Sequence, residues 1–235
     1  MADLYWPGRL LVPAHAKAQA APNNTSGGQS FAGAERVTGN TPGRWKLALR
    51  DIRVCMDSDG VSLNQDRIRA WNGIEAALQG RLNTILVPVY DYLRAPWPVV
   101  NGKNVRPAKP ASVWKDIFTR YTPASTAIQA TANADIAAGA MTGVIALAAG
   151  SALDVCHFEA DERVYRINRV VSVSGNVYTV KFWPPVRETI SSGTALNFDD
   201  PCLRCRLSGD EDMAIKDGFE YWRRATPSLD FVEDV

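Results

Sequence analysis

At 235 residues the chain is long enough for one large domain or two small ones. Its 46% hydrophobic and 22% charged residues are those of an ordinary globular protein, and a net charge of +1 argues against a protein that wraps nucleic acid through a clustered basic excess. The start, Met1-Ala-Asp-Leu, lacks the basic stretch and apolar core of a secretory signal. The most apolar run, 134–149, is broken by Gly139 and Gly143 and falls short of the roughly 20 residues of a membrane span, so a soluble chain without membrane insertion is expected.

Residues 5–12 (Tyr-Trp-Pro-Gly-Arg-Leu-Leu-Val) predict a short apolar strand behind a turn. Residues 13–34, rich in Ala, Asn, Ser and Gly, predict a loop or extended arm with little to bury. A β-like piece at 35–38 precedes a turn at Gly39-Asn-Thr-Pro-Gly43. In the stretch that follows, Trp45, Leu47 and Leu49 alternate with Lys46, Ala48 and Arg50, which predicts a half-buried strand over 44–54.

The clearest element is the helix expected over 64–80. Ile68, Trp71, Ile74 and Leu78 recur at three- and four-residue steps, Asn64 or Asp66 could cap the start, and Gly80 suits the left-handed position past the end. Ile85-Leu-Val-Pro-Val89 then reads as a buried strand. Residues 92–123, with five prolines, Trp97, Trp114 and the turn signal Asn101-Gly102, form a long excursion of the kind usually used at interfaces.

From about Ser125 charged residues nearly vanish until Asp154. Alanine favours a helix over 132–149, while the internal glycines and short alternating flanks favour short strands with turns. Arg163-Val-Tyr-Arg-Ile-Asn-Arg-Val170 alternates, and a hairpin is expected about Gly175-Asn176, ended by Trp183-Pro184-Pro185. Further strands are expected at 194–198 and 202–207, giving about five short strands suited to a small barrel or sandwich. The final run about Leu229, Phe231 and Val232 is expected to return to the N-terminal domain, making the β-rich region an insertion.

Signals of chemistry are sparse. Cys202-Leu-Arg-Cys205 has the spacing of half a zinc site or a redox pair, but a second pair is missing and His15 and His157 are the only histidines. Leu203, Cys205 and Leu207 alternate with Arg204 and Arg206, so the cysteines read as small apolar residues on opposite strand faces. Asp57, Asp59 and Gly60 lack the twelfth-position glutamate of a calcium loop. The acid groups Glu159/Asp161/Glu162 and Asp199/Asp200 fall at expected turns, where solvation explains them. Nucleophile-elbow, phosphate-loop, dinucleotide and zinc-protease motifs are missing, so no catalytic, cofactor-binding or metal-binding residue is assigned and no enzyme is expected. Arg163, Arg166 and Arg169 lack the interleaved aromatic row of a single-strand groove.

Several segments resemble one family. They are Ile68…Ala70-Trp71 with Leu78-Gln-Gly80 and Leu86-Val-Pro-Val-Tyr-Asp91; Phe182-Trp-Pro-Pro-Val-Arg187 with 195–207; and Ser228-Leu-Asp-Phe-Val-Glu-Asp234. Together they resemble the distal tail proteins of long, non-contractile tailed phages and gene transfer agents. The resemblance implies a mainly β fold with one principal α-helix. A tail-tube-like β-sandwich domain (1–124 plus 208–235, flanked by helix 64–80) would carry an inserted small β-barrel of the oligonucleotide-binding type (125–207). It implies a hexameric ring at the virion tail tip, joining the tail tube protein to the baseplate hub or tip proteins. The ring would enclose a channel through which DNA passes without sequence-specific binding. It brings no catalytic residue and no cofactor. Competing readings are another tail part such as a tube protein or fibre adaptor, a carbohydrate-binding module using Trp97 and Trp114, a cell-wall hydrolase, and an oligonucleotide-binding barrel.

Overall fold

A computed structural model describes residues 4–8, 10–29, 33, 35–54, 65–90, 94–106, 127–210, 212–213 and 226–234. Asn64, the Asp57/Asp59/Gly60 turn and all of 107–123, Trp114 included, lie outside them. The described fold is mainly β with one helix. No helix among the described residues is long and apolar enough to cross a membrane.

The chain opens with β1 (Leu4–Tyr5) and two long strands, β2 (Pro13–Gln29) and β3 (Glu35–Ile52). Helix α1 (Gln65–Leu78) and β4 (Ile85–Pro88) follow, then a small hairpin, β5 (Val99–Val100) and β6 (Lys103–Asn104). Next come β7 (Gln129–Ala132), β8 (Thr142–Ala149), β9 (His157–Ala160), β10 (Arg163–Ser174), β11 (Val177–Trp183) and β12 (Ala195–Leu196). β13 (Cys202–Leu207) and β14 (Leu229–Glu233) end the series.

One six-stranded sheet has the order β1-β4-β13-β14-β3-β2. Only its β1–β4 edge is parallel; the other pairs are antiparallel. Helix α1 covers this sheet. Trp71, Ile74 and Leu78 are buried with Trp6, Leu203, Leu229 and Phe231, and Ile68 packs at the margin. Trp6 meets the edges of Trp71 and Phe231 at ring separations of 6.5 and 5.9 Å. Burying each large side chain contributes about 1.5–3 kcal/mol, so this aromatic cluster anchors the helix. Beyond Leu78 the backbone turns left-handed at Gln79 and Gly80, and Asn83 closes the helix end by donating to the Ala77 carbonyl at 2.8 Å.

The second sheet, β12-β7-β8-β11-β10-β9, is nearly closed and barrel-like. A bridge between Glu159 and Asn197 brings its two ends together. Two register shifts along β10, after Ile167 and after Val170, supply bends that a closing sheet needs. Phe158, Tyr165, Phe182 and Phe198 form its aromatic centre. The 132–149 ambiguity resolves as strands and a turn. Gly143 lies in β8 because a Cβ there would sit 2.6 Å from Ile136 Cδ1.

Four expectations are corrected. Residues 5–12 are not a strand: pairing stops at Tyr5, and Leu10 and Leu11 donate backbone N–H groups to the Pro7 carbonyl in a turn. Within 13–34, expected as a loop or an extended arm, residues 13–29 are not a loop. They form β2, whose small side chains pair along β3 from Pro13–Ile52 out to Gln29–Glu35. The Gly39–Gly43 turn is likewise an extended, bulged passage within β3; Pro22 and Pro42 fall where the register shifts, so neither is asked for a ladder hydrogen bond. Strand 202–207 does not belong with the barrel: β13 lies between β4 and β14 in the first sheet. The expected return of the last strand is observed, with β14 pairing β3 from Leu229–Leu49 to Val232–Lys46.

Candidate functional site

Two features stand out from the packing. The first is the β2–β3 hairpin. Its base is part of the sheet, but β14 reaches β3 only at residues 46–49. Outward from Asn23–Thr41 the described pairing is that of a two-stranded ribbon, continuing to Gln29–Glu35. The expected extended arm is therefore a bulged β-ribbon with an edge strand.

The second feature is the seam between sheet and barrel. Its hub is Trp45, near the middle of β3 and buried. The indole Nε1–H donates to the Val164 carbonyl at 2.8 Å, and its ring meets the edges of His157 and Trp183 at 5.3 and 5.2 Å. Val164 itself lies in the core of the sheet, whereas its neighbour Tyr165 lies in the core of the barrel. Strand β10 thus serves two cores at once, which is why two successive residues are buried there instead of alternating. Gly43 completes the approach, since a Cβ would sit 2.6 Å from Trp183 Cζ2.

Charged groups border these aromatics. The Glu233 side chain, 1% exposed, accepts the Trp45 backbone N–H at 2.9 Å. Arg163 and Arg187 stand 3.6 and 3.9 Å from its oxygens. Arg187 also donates to the Gly43 carbonyl at 3.0 Å, and Arg163 to the Asp234 carbonyl. Nearby, Arg204 pairs with Glu162 and Arg206 with Asp234. Burial pushes the Tyr165 phenol above its ordinary value, opposed by the Arg187 backbone N–H and the two guanidinium groups.

The residues singled out by sequence are dispersed into structural roles. Glu159 is not at a solvated turn: it is buried in β9, and its Oε2 accepts from Asn197 Nδ2 at 3.0 Å and Cys202 N at 2.8 Å. Asp161 and Glu162 form the two-residue turn between β9 and β10, both with positive φ. Asp199 lies 3.9 Å from Arg106. Arg106 also stands over the Trp97 ring at 5.5 Å, and Trp97 is only 3% exposed, so it offers no open face to a sugar. Cys202 and Cys205 are both buried, and burial holds the Cys205 thiol well above its ordinary value. Among the described residues no group of three or more His, Cys, Asp or Glu could hold a metal ion. His15 is exposed on β2 and His157 buried against Trp45, so the two histidines are not brought together. Trp45, Glu233 and Arg187 come together only in the fold; their positions, 142 and 46 residues apart in sequence, give no local signal of the group.

The chain matches no protein-family model, and no curated protein matches it at a significant level.

Proposed function

We propose that this chain is a structural virion protein. It would form a ring at the distal end of a long phage tail, joining the tail tube to the baseplate or tip hub around the DNA channel. In this reading the sheet with α1 is a tail-tube-like unit and the barrel an outward unit of the oligonucleotide-binding type. The observation that carries the reading is the β2–β3 ribbon, which extends a sheet edge beyond its own sheet. Rings are built from head-to-tail contacts that close by rotation, and an extended edge is suited to reach the next subunit. The buried, structural role of Glu159 and the burial of Cys202, Cys205 and Trp97 favour it over the enzymatic and sugar-binding readings. A formal charge of +1 suits a conduit that must release its DNA.

Size-exclusion chromatography with light scattering and negative-stain imaging test the proposal, with the purified protein alone and with a tail tube protein. Ring-shaped particles are expected. Replacing residues 24–39 by a two-residue turn should abolish them while leaving the monomer folded. A trimmed chain that still forms rings and joins tubes would sink the role given to the ribbon. Rodlike or fibre-bound particles would point to a different tail part.

A further inference from the structure

We infer that Glu233 is a latch that fixes the barrel's orientation on the sheet, so that the two move as one body. Glu233 ends β14, a strand with sheet partners on both sides. Its carboxylate is nevertheless approached by two guanidinium groups from the barrel segment, Arg163 at the start of β10 and Arg187 just after β11. Each arginine has a second hold on the sheet side, through the carbonyls of Asp234 and Gly43. One carboxylate therefore ties β3, β14 and two separate barrel segments. A buried carboxylate is costly to desolvate, and an apolar residue of similar volume would often serve stability as well. What an apolar residue cannot do is aim two guanidinium groups and one backbone N–H at a single point. The ring contacts beside it tolerate sliding, because ring edges hold over a range of angles; the Trp45 indole hydrogen bond to the Val164 carbonyl adds a directional hold from the same residue whose backbone N–H Glu233 accepts. The hydrogen bonds about the carboxylate do not tolerate sliding: Trp45 N–H to Glu233, Arg187 to the Gly43 carbonyl and Arg163 to the Asp234 carbonyl fix direction, while the two guanidinium groups, 3.6 and 3.9 Å from the carboxylate, add attraction at ion-pair separation. Of the other ionised groups nearby, Asp234 with Arg206 and Glu162 with Arg204 are partly exposed, and the buried Glu159 makes a separate tie from β9 to the Cys202 N–H of β13. The inference does not depend on ring assembly.

Glu233→Gln is the test. The amide oxygen can still accept the Trp45 N–H, but its NH2 faces guanidinium donors. Residual dipolar couplings of the full chain would be measured for both bodies, with solvent exchange of the Trp45 indole N–H. In the wild type, one alignment tensor should fit sheet and barrel together. In E233Q two tensors should be needed, and the indole N–H should exchange about a hundredfold faster. Amides of Leu203 in the sheet and Val180 in the barrel should keep their protection. A single tensor in E233Q overturns the latch, and so does loss of protection throughout the chain, which would make Glu233 a general stabiliser. Should E233Q fail to fold, R187Q gives the same readouts. Two tensors with recovery of one in R187K support the latch, and one tensor in R187Q overturns it.

Discussion

The barrel and the sheet are built from similar strands by opposite routes. Every barrel strand lies between Gln129 and Leu196, and three of its pairings, β7–β8, β9–β10 and β10–β11, join consecutive strands through short connections. The sheet gathers six pieces spread from Leu4 to Glu233, and its inner strands β13 and β14 come last in sequence. Local pairing costs little loop entropy; the sheet's long-range pairing must first close loops that include the whole barrel. This topology predicts a barrel that forms early and a sheet completed only when the C-terminal strands arrive.

The largest test of this contrast is a chain ending at Pro201. It lacks β13 and β14, so the sheet should lose its ordered amides while the barrel keeps its dispersed NMR signals. Collapse of the barrel signals as well would show that the barrel needs the sheet. Next, Trp71→Ala should cost about 3–5 kcal/mol in urea unfolding, because a large, fully buried ring under the helix is removed. A cost under about 1 kcal/mol would mean that α1 does not anchor the sheet. In the barrel, Gly143→Ala should cost about 1–3 kcal/mol by overpacking Ile136. Adding Ile136→Val should recover part of that cost if the collision is the cause.

A fourth test uses alkaline pH. Desolvation first, and then the Asp200 charge, push the phenol of half-buried Tyr90, whose hydroxyl is shut off from solvent, well above its ordinary value near 10. A raised folded-state value means this contribution is fully present below about pH 10 and lost as pH rises towards the folded value. Tyr90→Phe should therefore flatten the fall in stability above about pH 10, and an unchanged alkaline limb would contradict the burial. The smallest effect should come from Asp210→Asn. Hydrogen bonds from Arg81 hold this exposed carboxyl below its ordinary value. Its contribution is present above about pH 4 and lost as pH falls through the lower folded value, so the mutant and wild-type acid limbs should converge. A gap that persists under acid would show that Asp210 acts through something other than its charge.

The same contrast governs how much could be read from sequence. The helix about Trp71, the hairpins at Asn101-Gly102 and Gly175-Asn176, and the alternation of Trp45, Leu47 and Leu49 are local patterns, and they appear as expected. The β13 strand was visible as a strand, but alternation looks the same in either sheet, so its place was not. β2 was hidden because its alanines and asparagines carry little apolar signal; its pairing depends on β3 alongside. Glu233, Trp45 and Arg187 meet only after both bodies are formed, and nothing in the neighbourhood of any one residue announces the other two.

The breaks in the β2–β3 ladder have a further consequence for solubility. A long, flat edge strand invites uncontrolled growth of β-structure by successive copies. Here Pro13, Lys17 and Pro22 punctuate the edge, and the register shifts on either side of Asn23 kink it. An incoming strand can follow only short stretches before meeting a missing donor or a change of twist. Such an edge resists indiscriminate stacking and admits only a strand whose own irregularities match it.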